Sequence, residues 1–227
     1  MSAILMSAIL ALETSGSSCS VCLDADGNRF EITHHVDRRH NELLLGMIDN
    51  VLQQAGLDRA GLHGLAFGCG PGSFTGVRIA AACVQALSLA LDLPVMPVAS
   101  ADALAAAASR SGRLVSDGLL VTSIRSRARH YYLSGYFRQN GEMTGIESVR
   151  LYDSAAGLPE TLKDPVHCIG AQPEWWETGS WLDISATAED VLEIALPALR
   201  QNQGVSSASA LPMYVSGDTP WERLSRA

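Results

Sequence analysis

Gly68-Cys69-Gly70-Pro71-Gly72-Ser73-Phe74-Thr75-Gly76-Val77-Arg78 is the most specific stretch of this 227-residue sequence. It reads as a glycine-dense turn between a buried strand, Leu62 to Gly68, and an alanine-rich helix, Val77 to Leu91, ended by Asp92-Leu93-Pro94. Glycine lets backbone approach backbone or ligand without a Cβ clash, and free N–H groups at a helix start can hold an anion. As a phosphate loop the stretch is incomplete: no Walker lysine follows the glycines, and their spacing is not the dinucleotide fingerprint. Gly72 and Gly76 precede the small residues Ala80 to Ala82, so the alternative is close packing, including that of helices from two subunits. Spacing alone leaves both readings open.

Outward from the loop, the pattern alternates strand and helix. Ile9 to Leu12 is a short apolar strand, and Glu13-Thr14-Ser15-Gly16-Ser17-Ser18 a polar turn. Cys19, Val21 and Leu23 alternate, Asp26-Gly27 turns, and Phe30, Ile32 and Val36 alternate back, which predicts a hairpin. Leu43, Leu44, Met47, Ile48, Val51 and Leu52 then recur at helical spacing up to Gly56, a C-terminal cap. Val95 to Val98 is a strand, and Ser100 is placed to cap a helix toward Gly112. The order is β-β-β-α-β-α-β-α. The second half is less regular, with strands near Leu119 to Ile124, Tyr131 to Phe137, from the Asn140-Gly141 turn through Val149, and Val166 to Gly170. A helix over Ala186 to Leu199 and a polar, serine-rich surface stretch over Gln201 to Ala210 follow.

Composition narrows the function. The chain is 47% hydrophobic and 18% charged, which suits a folded core rather than a disordered chain. Its formal charge of −8 gives no overall attraction to a phosphate backbone, so any nucleic acid is expected to be held with the help of another subunit. Cys19, Cys22, Cys69, Cys83 and Cys168 form no paired knuckles for zinc, and Cys19 and Cys22, though spaced C-x-x-C, sit inside one strand rather than at an activating helix start. The first basic residue is Arg29, so the apolar start lacks the positive flank of a secretory signal; MSAIL at Met1 to Leu5 is repeated at Met6 to Leu10, which suggests two start codons. The run Ile79 to Leu91 is short for a bilayer and is interrupted by Gln85 and Ser88. A cytoplasmic location and no membrane association are expected.

The loop GPGSFTGVR at Gly70 to Arg78, the opening strand LALETSGSSCSV, and the run His40-Asn41-Glu42-Leu43-Leu44 before Met47-Ile48 together resemble the bacterial TsaB family, also called YeaZ. The resemblance is strong over residues 9 to 104 and weaker beyond. It implies an α/β fold of the actin-like ATPase, ribonuclease-H type with two lobes. Residues 1–104 would form the first lobe, with the glycine loop and dimer helices, and 105–227 a smaller lobe whose final segment packs back on the first. It also implies a non-catalytic role in forming threonylcarbamoyladenosine in tRNA, as dimer partner and activator of the transferase TsaD, acting with the ATPase TsaE. The chain would also pair with itself, and tRNA would be met only through the complex. No nucleotide would be tightly held by this chain alone, ATP or ADP being placed at a subunit interface.

The residues bear on that division of labour. TsaD-type catalysis uses two metal-binding histidines one helical turn apart, and no H-x-x-x-H pair occurs among His34, His35 and His40; His63, His130 and His167 are isolated, and no H-E-x-x-H helix is present. Neither catalytic residues nor metal ligands are therefore assigned. Glu13 stands where actin-like folds place a first-strand aspartate, so Glu13, Thr14 and Ser15 are candidates to lie near a nucleotide; the alternative is a simple turn whose hydroxyls satisfy backbone groups. Within the loop, Gly70, Pro71, Gly72, Ser73, Phe74, Thr75, Gly76 and Arg78 are the candidate functional positions. Ser123-Ile124-Arg125 departs from the family's Asp-Ala-Arg, and Pro212-Met213-Tyr214-Val215-Ser216 from its Pro-x-Tyr-Leu-Arg. Leu43, Leu44, Met47, Ile48 and Val51 on one helix and Val77, Ala80, Ala81 and Val84 on the next are the expected dimer surface, against burial within one chain. Arg125, Arg127 and Arg129 either meet RNA phosphate or are solvated, and Trp175, Trp176 and Trp181 either stack on a base or cover a core edge. The competing class is a free-standing nucleotide-dependent phosphotransferase or metallopeptidase built on Glu13 and the loop.

Overall fold

A computed structural model describes residues 8–35, 39–127, 129–177 and 179–215. The first MSAIL copy, Met6, Val36 and Ser216 lie outside the described residues. The chain forms two five-stranded mixed sheets, ordered β3-β2-β1-β4-β5 and β10-β9-β6-β7-β8. In the first, β1 (Ala8–Glu13), β2 (Ser18–Ala25) and β3 (Asn28–His35) form an antiparallel meander, and β4 (Gly64–Gly70) and β5 (Val95–Ala99) continue it in parallel. The parallel additions need crossovers, supplied by α1 (His40–Gln54) before β4 and α2 (Phe74–Leu91) before β5. This is the ribonuclease-H strand order, the α/β actin-like fold that the resemblance implies.

Strand periodicity explains why β1 and β2 are apolar on both sides. Leu10, Leu12, Val21, Leu23, Leu65 and Phe67 point toward α1 and α2, whereas Ile9, Ala11, Cys22 and Ala66 point the other way, onto α4 (Ala188–Leu199). Each fully buried Leu or Phe contributes about 1.5–3 kcal/mol relative to exposure. Cys19 and Cys22, three residues apart in a strand, fall on opposite faces of the sheet, so they cannot meet. Burial pushes the Cys19 thiol up to about 11 and that of Cys22 to about 12, so both are unreactive.

The second sheet consists of β6 (Gly118–Arg127), β7 (His130–Gln139), β8 (Glu142–Tyr152), β9 (His167–Gly170) and β10 (Trp181–Leu182). Between the sheets runs α3 (Ser100–Arg110): Ala103 belongs to the first core, Leu104, Ala105 and Ala108 to the second. This helix thus joins the two cores at residues 103 and 104. After β10 the chain returns to the first sheet, where Val191, Leu192, Ala195 and Leu199 of α4 close its open face. The stretch from Gln201 to Ala210 is likewise no simple polar surface: Val205 pairs with Val95, and Ala210 is fully buried in the first core.

Local capping differs from expectation at two helices. α2 begins at Phe74, because Ser73 is the N-cap and its Oγ accepts the Gly76 N–H at 3.2 Å. Ser100 is already inside α3; its hydroxyl leaves the helix end and donates to Ser15 Oγ at 3.0 Å. At α4 a full capping box forms, Thr187 with Asp190.

Candidate functional site: the glycine loop, the interlobe cleft and the outer face of α2

The loop is packed against the chain's own first turn. A Cβ on Gly68 would lie 1.9 Å from Glu13 Oε2, one on Gly72 would lie 2.5 Å from the Ser15 carbonyl oxygen, and one on Gly76 1.9 Å from that of Thr14. Three glycines at intervals of four thus each admit one residue of the Glu13-Thr14-Ser15 turn. Hydrogen bonds lock the contact: Ser73 N–H donates to the Ser15 carbonyl at 2.7 Å, and Thr14 Oγ1 donates to the Gly76 carbonyl at 2.8 Å. Close packing within the chain therefore explains Gly68, Gly72 and Gly76. Gly70 has φ of +101°, and Pro71 is buried beside it.

The same contacts engage part of the loop's donor set. The Gly76 and Val77 N–H groups already donate to Ser73, and the Ser73 N–H to Ser15. Glu13 is buried, its Oε1 accepts the Ser15 N–H, and its Oε2 has no hydrogen-bond partner. Burial pushes its carboxyl above the ordinary range, with the nearby Asp190 charge adding to the rise against the opposing Ser15 bonds.

Between the lobes lies a cavity of about 510 Å³. Glu13 lines it with Ser15, Ser17, Ser18, Ser73, Ser100, Ser123, Ser126 and Ser185, and Arg125 at its edge is paired with Glu174 at 3.3 Å. Such a lining offers neutral hydrogen bonds rather than a cationic clamp for phosphate. Sequence reasoning missed this set. The run at Gly16 to Ser18 was visible, but the other hydroxyls come from separate segments, and nothing in their spacing marks them as neighbours. Among the described residues no group of three or more His, Cys, Asp or Glu is placed to hold a metal.

The expected dimer residues divide. Leu44, Met47, Ile48 and Val51 of α1 and Val77, Ala80, Ala81 and Val84 of α2 are buried in this chain, most of them against the first sheet. Leu43 is half-buried. What α2 presents outward is Phe74, Thr75, Arg78, Ala82, Ala86, Leu89 and Ala90. Leu89 is 79% exposed, and Leu45 of α1, on the same side of the sheet, 60%. α2 has 18 residues with a mean hydropathy of 1.6 and only a third of them buried, so it is long and apolar enough to cross a membrane, unlike the shorter run read from sequence. Its inner face is nevertheless packed on β4 in the first core.

At the start of α2, Arg78 ties in the end of the chain. Its guanidinium lies 3.2 Å from the Phe74 ring centroid and 5.5 Å from that of Tyr214, and its Nε donates to Tyr214 Oη at 3.1 Å. Next to it, Met213 N–H donates to the Cys69 carbonyl at 2.7 Å. The tryptophans cover a core edge: Trp176 is buried with Tyr131 and Leu133, and Trp175 and Trp181 pack around it. Arg125, Arg127 and Arg129 are all exposed, although a bulge between Arg125 and Arg127 breaks strict strand alternation.

Comparison with known proteins agrees with this architecture. The family model described as TsaD, tRNA N6-adenosine threonylcarbamoyltransferase, matches residues 32–157. The chain is 30% identical to the tRNA threonylcarbamoyladenosine biosynthesis protein TsaB of Haemophilus influenzae, over 95% of this chain and 96% of that protein. It is 29% identical to the Escherichia coli protein of the same name, over 95% and 97%. The solved structure of YeaZ from Pseudomonas aeruginosa superimposes with a TM-score of 0.75 at 31% identity, covering 92% of this chain and all of that one. With the sheet order, the glycine loop and near full-length identity in agreement, the chain belongs to the TsaB (YeaZ) family of tRNA threonylcarbamoyladenosine biosynthesis proteins, relatives of TsaD.

Proposed function

We propose that this chain is a non-catalytic subunit of the threonylcarbamoyladenosine-forming complex in the cytoplasm, pairing with TsaD through the outer face of α2 and acting with TsaE. The observation that carries the reading is α2 itself: an apolar helix with one face in the core and the opposite face, Ala82, Ala86 and Leu89, uncovered. Small residues there let a second helix approach closely, as in ridge-and-groove packing. A second copy of this chain would use the same face, so homodimer and heterodimer would exclude one another. The inward-packed loop and the neutral, serine-lined cleft support a supporting role rather than phosphoryl transfer by this chain. A nucleotide, if the complex holds one, would lie at a subunit interface.

Arginine placed on the outer face tests this. Ala86→Arg is expected to abolish co-elution with TsaD while changing stability by no more than about 0.5 kcal/mol, as for an exposed site. Ala80→Arg, by contrast, is expected to unfold the chain, because Ala80 is fully buried. Normal co-elution of Ala86→Arg and of an Ala82→Arg/Ala86→Arg double variant would refute this placement.

A further inference from the structure

Two cations stand apart from every other one described. Ion pairs engage Arg29, Arg39, Arg59, Arg110, Arg125, Arg138, Arg150, Lys163 and Arg200. Arg78 is held between two rings, and Arg113 donates to the Asp183 carbonyl. Arg127 and Arg129, at the tip of the β6–β7 hairpin, are exposed and have neither an ion pair nor a side-chain hydrogen bond among the described residues. In a chain of net charge −8 that is a local concentration of uncompensated positive charge.

The tip is also held in place. Trp175 Nε1 donates to the Arg129 carbonyl at 3.1 Å, and the Trp175 ring meets Tyr131 edge-on with centroids 6.2 Å apart. Arg129 has φ of +62°, a left-handed conformation that turns the chain, and Arg127 pairs with His130 across the ladder. An aromatic cluster in the second core thus anchors the backbone that carries the two guanidinium groups, which reduces the entropy lost when they bind. Arg125 and Ser126 line the cleft, but Arg127 and Arg129 are not among its lining residues, so a small ligand inside it would leave them unmatched. An extended polyanion passing outside the cleft would match them.

We propose that this hairpin tip contacts the phosphate backbone of tRNA in the assembled complex, through Arg127 and Arg129. The inference rests on the function proposed above, which brings tRNA to the complex. The contact is a positioning one. Guanidinium groups bind phosphate oxygens without reading sequence, so the tip sets orientation and on-rate rather than choice of tRNA.

The test measures binding of bulk tRNA to the complex of full-length chain and TsaD as a function of salt. The Arg127→Ala/Arg129→Ala variant is expected to co-elute normally, to bind tRNA at least fivefold more weakly, and to lower the slope of log affinity against log salt by about 2, near one per phosphate contact. Arg127→Lys/Arg129→Lys is expected to keep most of the slope, since an ammonium group retains the charge contact. An Arg113→Ala/Lys163→Ala variant makes the same change of net charge outside the hairpin and is expected to leave the slope unchanged. Should the double alanine variant fail to fold, Arg127→Gln and Arg129→Gln singly, each expected to lower the slope by about 1, carry the test. An unchanged slope and affinity with assembly intact overturn the tip contact alone. Failure of the wild-type chain to pair with TsaD overturns the proposed function, and this inference with it.

Discussion

Gly76 shows how far a single residue is fixed by its neighbours. A Cβ there would meet the Thr14 carbonyl oxygen at 1.9 Å, and a contact with backbone rather than a side-chain tip leaves little room to relax. Gly76→Ala is expected to cost about 3 kcal/mol in urea unfolding, the range of a forced overpacking. Gly46, in the exposed face of α1 with nothing within 4 Å of its added Cβ, is the control: Gly46→Ala is expected to stabilise by about 0.5–1 kcal/mol. Glu13 gives a pH signature. Its folded carboxyl is raised above the ordinary 4.5, so it binds its proton more tightly folded than unfolded. Its favourable contribution is full below pH 4.5 and is lost as pH rises through the folded value. Glu13→Gln, which cannot ionise, should therefore gain stability relative to wild type as pH rises from 4.5, and a difference flat from pH 4 to pH 8 would contradict the assignment. The opening turn was legible in sequence as polar and the loop as glycine-dense. That one was the socket for the other was not, because the contact joins positions about sixty residues apart.

At the scale of elements, periodicity located α1, α2, the hairpin and the parallel strands, since each buries a continuous apolar face. It could not say which apolar side of α2 was the buried one. α2 carries alanine nearly all round, and only packing on β4 separates Ala80 and Ala81, inside, from Ala82 and Ala86, outside. α4 is held by charge as well as by its apolar stripe. Asp190, 1% exposed, accepts from Arg110 Nε at 2.8 Å and from Arg110 Nη2 at 3.0 Å while closing the capping box with Thr187. Arg110→Ala leaves that carboxylate buried without its counter-charge. A loss of about 2 kcal/mol is expected by chemical denaturation, below the full cost of breaking a buried pair because Arg110 is half exposed. A loss within 0.3 kcal/mol would show that the Thr187 groups alone satisfy Asp190.

At the scale of the molecule, the chain visits the first sheet twice. α4 and the segment from Val205 to Met213 arrive only after the second sheet is complete, and they cover Ile9, Ala11, Cys22 and Ala66 on one side and contact α2 and β5. A fragment ending at Gly112 therefore has one sheet face bare and is expected to bind a hydrophobic dye, a mark of unfixed packing. The full chain is expected to unfold in a single transition, with both lobes melting together, because α3 belongs to both cores. A separate, earlier transition for the second sheet would argue against that coupling.

By itself the sequence determined the family, the order of the main strands and helices apart from the short β10, and the lack of an H-x-x-x-H or H-E-x-x-H pair. Each of these is written in local periodicity or in a contiguous motif. Only the tertiary structure decided that the glycines receive the chain's own first turn, that serines from several segments line one cleft, and that the end of the chain returns to the first sheet. It also decided that Arg127 and Arg129 have no side-chain partner among the described residues. The physical reason is common to all four: each depends on which distant groups come within a few ångströms, and composition and spacing carry no record of that distance.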